Sequence, residues 1–322
     1  FSRRELDARK FYANRALRIY PLLILVVSIG YFSTPDPRST SVGLDYLLAL
    51  LPISNLYRLD YGPFGGHMWT VAVELQFYLL FPILLAFRRR TTRASFYGGV
   101  IAIATLMRMA VYFATGTAHT FTYFTLFGNI DLFVAGMLSA EICSGLKAKH
   151  ICLHLRWSVL ALAATALVVT LAFSHRSFFH VDYFGISANG VSGSALWIVW
   201  PSILAVCWSG LLITYLRSPG TLPGSKWLAQ FGTWTYSTYV WHVLVIEILK
   251  TRFPWMPTYV FAGTVIFPAM LSISWISFNL LEAPFLNLRK NYQAANQSED
   301  QRDDSSAWKA AENSKLGLTS VP

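Results

Sequence analysis

The stretch Met68-Trp69-Thr70-Val71-Ala72-Val73-Glu74-Leu75-Gln76-Phe77-Tyr78-Leu79-Leu80-Phe81-Pro82-Ile83-Leu84-Leu85-Ala86-Phe87, followed at once by Arg88-Arg89-Arg90, decides the fold. A run of this length, at about 1.5 Å per residue, matches the roughly 30 Å hydrocarbon core of a bilayer. Glu74 is its single formal charge, and three arginines end it where a membrane interface would. The stretch predicts a transmembrane helix. Working outward, Leu17–Phe32, Ser95–Ala114, Phe121–Cys143, Trp157–Phe173, Gly193–Leu216, Leu228–Leu249 and Tyr259–Leu281 read the same way. The expected fold is an all-α, polytopic transmembrane helix bundle with about eight crossings. Pro21 falls in the first turn of the first segment, where proline is tolerated. Val42–Tyr57 contains Asp45, Pro52 and Asn55 and reads as re-entrant or interfacial.

Composition agrees. Of 322 residues, 54% are hydrophobic and 13% charged, with mean hydropathy +0.45. Soluble domains carry about 25% charged residues. An ordinary cytosolic enzyme, a disordered chain and a secreted disulfide scaffold are excluded, and lipid is the expected surrounding. The net charge of +10 is not a nucleic-acid patch, because the basic residues collect between apolar runs. With the start of the chain in the cytoplasm and strict alternation, twenty basic residues lie inside and five outside. A crossing by Val42–Tyr57 would invert that balance. The expected location is a cell membrane, a bacterial inner membrane, with both ends of this chain cytoplasmic. Cys143, Cys152 and Cys207 lack paired or metal-like spacing and read as free thiols. His175 and His180 sit in an outward loop, Ser174–Ser192, read as solvated, and no metal site is expected. Residues 1–290 form the membrane domain. Residues 291–322 are a polar cytoplasmic tail, expected to be disordered.

Charges inside lipid are the sharpest functional signals, since each costs at least about 2.5–3.5 kcal/mol. Glu74 is a lone carboxylate among Val, Leu, Phe and Tyr, and reads as lining the working cavity. Arg108 and Asp131 lie on neighbouring segments, and mutual neutralisation is the favoured reading. His242 either bonds between helices or lines a cavity, and Glu247, five residues on, reaches the interface. His67 and Glu282 stand at opposite helix mouths. Arg15 and Arg18, at i and i+3, share one helix face at the boundary and form a fork suited to phosphate.

Three stretches together resemble the acyltransferase-3 family of integral membrane acyltransferases. Phe11-Tyr12-Ala13-Asn14-Arg15-Ala16-Leu17-Arg18-Ile19-Tyr20-Pro21 is similar to the family's "FxxRRxxRIxP". Trp69 to Pro82 is similar to "WSLSVEEQFYLLWP". Tyr236-Ser237-Thr238-Tyr239-Val240-Trp241-His242 and Glu282-Ala283-Pro284-Phe285 resemble "SYxxYLWH" and "ERPF". Asn14, Leu75 and Ala283 depart from the pattern, whereas Arg15, Arg18, Glu74 and Glu282 keep it. The resemblance implies acyl-CoA as cosubstrate, no bound cofactor, and a carbohydrate or small-molecule acceptor. It gives Arg15 and Arg18 to binding the donor's phosphates or positioning the cavity mouth, and Glu74 to orienting the acceptor or a catalytic partner; with Glu74, His242 is expected at the catalytic site, as a cavity residue and not as the general base. Trp69, Gln76, Tyr78, Arg108, Asp131 and Glu282 are then cavity-lining or structural. Complete members carry about ten membrane helices, with a general-base histidine on the first. This chain opens Phe1-Ser2-Arg3-Arg4, so it is expected to lack the first two helices and to be crippled alone. A solute exporter and an inactive remnant are the alternatives.

Overall fold

The computed structural model describes residues 6–33, 42–56, 67–145, 164, 195–216, 225–256 and 258–289. All regular structure among them is helical. The Trp157–Phe173 segment apart from Ala164, the Ser174–Ser192 loop, Cys152 and the tail lie outside the described residues. In chain order the helices are α1 (Ala8–Ser33), α2 (Val42–Leu50), α3 (Trp69–Arg90), α4 (Arg93–Thr115), α5 (His119–Phe124), α6 (Leu126–Gly145), α7 (Trp200–Leu216), α8 (Ser225–Thr233) and α9 (Thr235–Arg252). The last, α10, opens as Thr258–Phe261 and runs on through Ala262–Arg289. Among the described residues five helices are long and apolar enough to cross a membrane: Ala8–Tyr31, Trp69–Arg90, Arg93–Thr115, Leu126–Cys143 and Ala262–Arg289. Trp200–Leu216 is a shorter apolar helix. Ile83, Phe113, Val206 and Leu280 are 64%, 76%, 73% and 69% exposed. Side chains that apolar, turned outward from helix after helix, have lipid as their solvent. The chain is a multi-pass membrane protein.

Several boundaries differ from the hydropathy reading, each for a local reason. α1 starts at Ala8, not near Leu17, because Asp7 caps it: its carboxylate accepts the Lys10 amide at 3.1 Å. That bond holds the exposed Asp7 carboxyl below its ordinary range. Pro21 therefore sits mid-helix. The Phe121–Cys143 segment is broken at Thr125, whose backbone is extended. The Asn129 side chain gathers the carbonyls of Thr122, Tyr123 and Thr125 and closes that joint. Helix α7 begins only at Trp200, after a 3-10 turn over Ala195–Ile198. The Leu228–Leu249 segment divides at Trp234 into α8 and α9. At about 1.5 Å per residue, the nine residues of α2 are too short to span.

The described helices belong to two compact units. The first holds α2 to α7. Within it α6 packs on α4, α7 and α3. Val73, Phe77, Phe96, Ala104, Ile130 and Val134 form the core, and Phe77 stacks on Phe133 at 4.3 Å. The second unit holds α1 through Ile29, α9 and α10. There α9 packs along α10. Two π turns interrupt α10, Ala262–Ile266 and Phe278–Glu282. Pro268 and Pro284 each follow one by two residues. A proline ring clashes with the carbonyl four residues back, and the wider turn relieves the clash.

The α5–α6 joint has no room for a side chain at Gly128, where a Cβ would run into Phe121 O and meet Thr122 Cα at 2.6 Å. Both neighbours are backbone and cannot yield. Gly128→Ala is expected to lower stability by about 1–3 kcal/mol, read as a drop in the thermal midpoint in detergent. Gly136→Ala, with open space around it, is expected to leave the midpoint unchanged or slightly raised.

Candidate active site

In the first unit, α3 carries the motif residues. Glu74 is half-buried, and the Tyr78 hydroxyl, one turn on, donates to its carboxylate. Gln76 points elsewhere on the helix. Its Nε2 donates to Pro52 O at 2.6 Å and to Asn55 Oδ1 at 2.8 Å. Asn55 in turn donates to Phe124 O at 2.8 Å. Gln76 thus fastens the short Val42–Leu56 segment to α3 and α5. Trp69 opens α3 against Tyr123 and Phe124, with ring centroids 4.7 and 5.1 Å apart. His119 adds a ring 5.7 Å from Tyr123 and 4.6 Å from Trp197, and burial lowers its pKa.

Arg108 and Asp131 are a closed pair with no exposed side-chain surface. Arg108 donates to Asp131 at 2.8 and 3.2 Å, to Gly128 O at 2.8 Å and to Thr105 Oγ1 at 3.1 Å. Ser202 of α7 also donates to Asp131. A group so enclosed cannot touch a substrate, so this pair positions helices. A second ionic knot was not anticipated from sequence. Glu141, near the end of α6, takes Arg88 at 2.8 Å and Arg93 at 3.2 Å, and the Arg88 guanidinium covers the Tyr97 ring at 5.6 Å. The triple-arginine turn therefore sends Arg88 inward while Arg89 and Arg90 stay exposed.

The second unit gathers the other candidates around α9. The Tyr236 hydroxyl donates to Ile19 O of α1 at 2.9 Å. Ser237, the next residue, donates to Glu282 of α10, which is 1% exposed. Ser277 Oγ lies 3.0 Å from Ser237 Oγ, and Trp241 Nε1 donates to Ser277 at 2.9 Å. A hydroxyl proton rotates to suit, so Trp241, Ser277, Ser237 and Glu282 form one directed chain. The charge of Arg18 acts on Glu282. Arg15 and Arg18 are half-buried, and Arg15 lies over the Phe11 ring at 5.3 Å. His242 Nδ1 is 2.5 Å from Tyr239 O. A carbonyl has no proton to give, so Nδ1 carries it, and in the neutral ring Nε2 keeps its lone pair. Glu247 is exposed, and His67 is buried at the start of α3. Cys207 is a buried free thiol. Among the described residues no three His, Cys, Asp or Glu side chains gather as metal ligands.

Known proteins resemble the chain in sequence. The acyltransferase domain of the acyltransferase-3 family matches residues 1–279. "Putative O-acetyltransferase SAR0937" of Staphylococcus aureus (strain MRSA252) is 23% identical over 327 aligned residues, covering 88% of this chain and 50% of that protein. "O-acetyltransferase OatA" of S. aureus (strain NCTC 8325 / PS 47) is 24% identical over 309, covering 87% and 48%. The chain spans about half the length of the relatives it matches. No solved structure matches it.

The enclosed pair yields a test. Arg108→Met strands the Asp131 carboxylate and is expected to cost about 3–5 kcal/mol, whereas Arg108→Met combined with Asp131→Leu recovers most of that. Thermal unfolding of both in one detergent decides. Equal losses would mean that the pair does not act as a unit.

Proposed function

The chain belongs to the acyltransferase-3 family, and we propose that it is an acyltransferase that moves a short acyl group, acetyl first, from acyl-CoA to a hydroxyl of a carbohydrate or other small cell-envelope acceptor. The observation that carries this reading is the family match over residues 1–279, joined by relatives named O-acetyltransferases. Among the described residues no structural feature favours an exporter over it.

The chemistry needs three things. The acceptor hydroxyl gives its proton to a base, its oxygen bonds to the thioester carbonyl carbon, and the carbon–sulfur bond breaks to release CoA as a thiol. Arg15 and Arg18 hold the donor's phosphates at the start of α1, and cytoplasmic delivery of acyl-CoA puts that end inside. The excess of basic residues on the same side supports this orientation. Glu74 accepts from Tyr78 with one of its lone-pair sites, and its half-buried carboxylate has further sites with which to orient the acceptor hydroxyl. His242, its tautomer fixed by Tyr239, lines the path without serving as the base.

The test is acyl transfer by the full-length gene product, followed by CoA release and acceptor mass. Glu74→Gln is expected to lower kcat by about 10²-fold, and Arg18→Ala to raise the KM for acyl-CoA about tenfold. Near-wild-type kinetics in both variants would remove these assignments.

A further inference from the structure

Helix α8, Ser225-Lys226-Trp227-Leu228-Ala229-Gln230-Phe231-Gly232-Thr233, is exposed at every residue from Lys226 to Thr233. A helix of nine residues surrounded by water is not stable, since isolated helices shorter than about 12–15 residues are marginal even in good helix formers. Its helicity therefore needs a surface to lie on. The side chains say which one. At about 100° per residue, Trp227, Leu228 and Phe231 fall within one arc of about 100°, while Lys226, Gln230 and Thr233 fall within about 60° on the other side. Trp227 is 70% and Leu228 66% exposed, so the apolar arc faces outward.

The place of α8 along the chain fixes its depth. Hydropathy runs a span from Leu228 to Leu249, which would sink Gln230 and Thr233 in hydrocarbon with the apolar arc. The structure instead breaks the helix at Trp234, where ψ is 0°, and the Thr235 hydroxyl donates to Gly232 O at 3.0 Å. Beyond the break α9 packs along α10. The eighteen residues of α9 rise about 27 Å, close to the whole of a roughly 30 Å core. The nine of α8 would add about 14 Å, which the core does not hold. This helix therefore falls at the boundary. There an apolar arc and a polar arc are both satisfied when the axis lies in the membrane plane. A tryptophan ring suits headgroup level, and a lysine stem lets its ammonium reach the lipid phosphates.

We propose that α8 is an in-plane docking helix for the membrane surface, with Trp227, Leu228 and Phe231 set into the boundary between headgroups and acyl chains and Lys226 turned to the lipid phosphates. Its occupant is the bilayer that already surrounds the chain, and the assignment is independent of the acyl-transfer reading.

The test uses the full chain in nanodiscs of phosphatidylcholine and phosphatidylglycerol. The photoreactive analogue p-benzoylphenylalanine replaces Trp227, Phe231 or Gln230 in turn, and the photolysis products are weighed intact. Phospholipid adducts are expected at positions 227 and 231, about threefold or more above position 230. Equal lipid adducts at all three would overturn the one-sided seating. Adducts to a second copy of the chain, or to another segment of it, would give the face to protein and overturn the proposal. Amide hydrogen exchange provides a second reading without a photoprobe. Trp227→Ser combined with Phe231→Ser is expected to speed exchange over residues 225–233 about tenfold while α10 keeps its protection. Exchange over 225–233 equal to that of the unsubstituted chain would overturn the proposal as well.

Discussion

Arg108 and Asp131 expose no side-chain surface, and neither charge could be carried into an apolar bundle without the other. Their hydrogen bonds reach α4, the start of α6 and the start of α7. Three helices of the first unit are therefore fixed at one point by groups that water cannot serve. Van der Waals packing fills the space around that point, but packing is tolerant of small slides. A bidentate pair with a serine and a backbone carbonyl in its shell is not. The motif helix α3 is placed against α6 by the same core, through Phe77 and Phe133.

The same cost sorts the remaining charges into two kinds. Glu141 closes on Arg88 and Arg93, and the Arg108 pair closes on itself. In both, donors meet acceptors, and the groups act on the fold. Glu74 differs: among the described residues Tyr78 is the hydrogen-bond partner its carboxylate shows, and the group stays half-buried. In the second unit the charge of Arg18 acts on the buried Glu282. A lipid-embedded protein gains nothing structural from an unbalanced charge. A charge incompletely met is therefore where binding and chemistry are expected, and Glu74 falls in a stretch that resembles an acyltransferase motif.

Sequence made the helical, membrane-bound character legible because it depends on summed hydropathy over a whole segment. The limits of α3 came out within three residues, Met68–Phe87 against Trp69–Arg90, and the shortfall is instructive. Hydropathy stops at the first arginine, while the helix continues so that Arg88 can reach Glu141. The joints at Thr125 and Trp234 escaped the same averaging, since one extended residue and one side-chain clamp change no window mean. Arg108 and Asp131 were legible as a pair because charges in lipid advertise themselves. Ser202, seventy-one residues from Asp131, was not, because a serine in an apolar run carries no such signature. Asn55 was visible as a reason to deny a crossing, but not as the partner of Gln76.

Periodicity failed most instructively at Glu282. Five residues separate it from Ser277, and on an α-helix five residues put two side chains about 140° apart. Yet both meet Ser237. The turn between them is a π turn, in which five residues close one hydrogen-bonded ring and bring the two side chains back toward one face. Pro284 supplies the cause, because its ring displaces the carbonyl that an α turn would place beneath it. A proline two residues downstream thus aims the buried carboxylate at α9. That dependence is encoded locally, but in a proline that hydropathy reads only as a helix breaker.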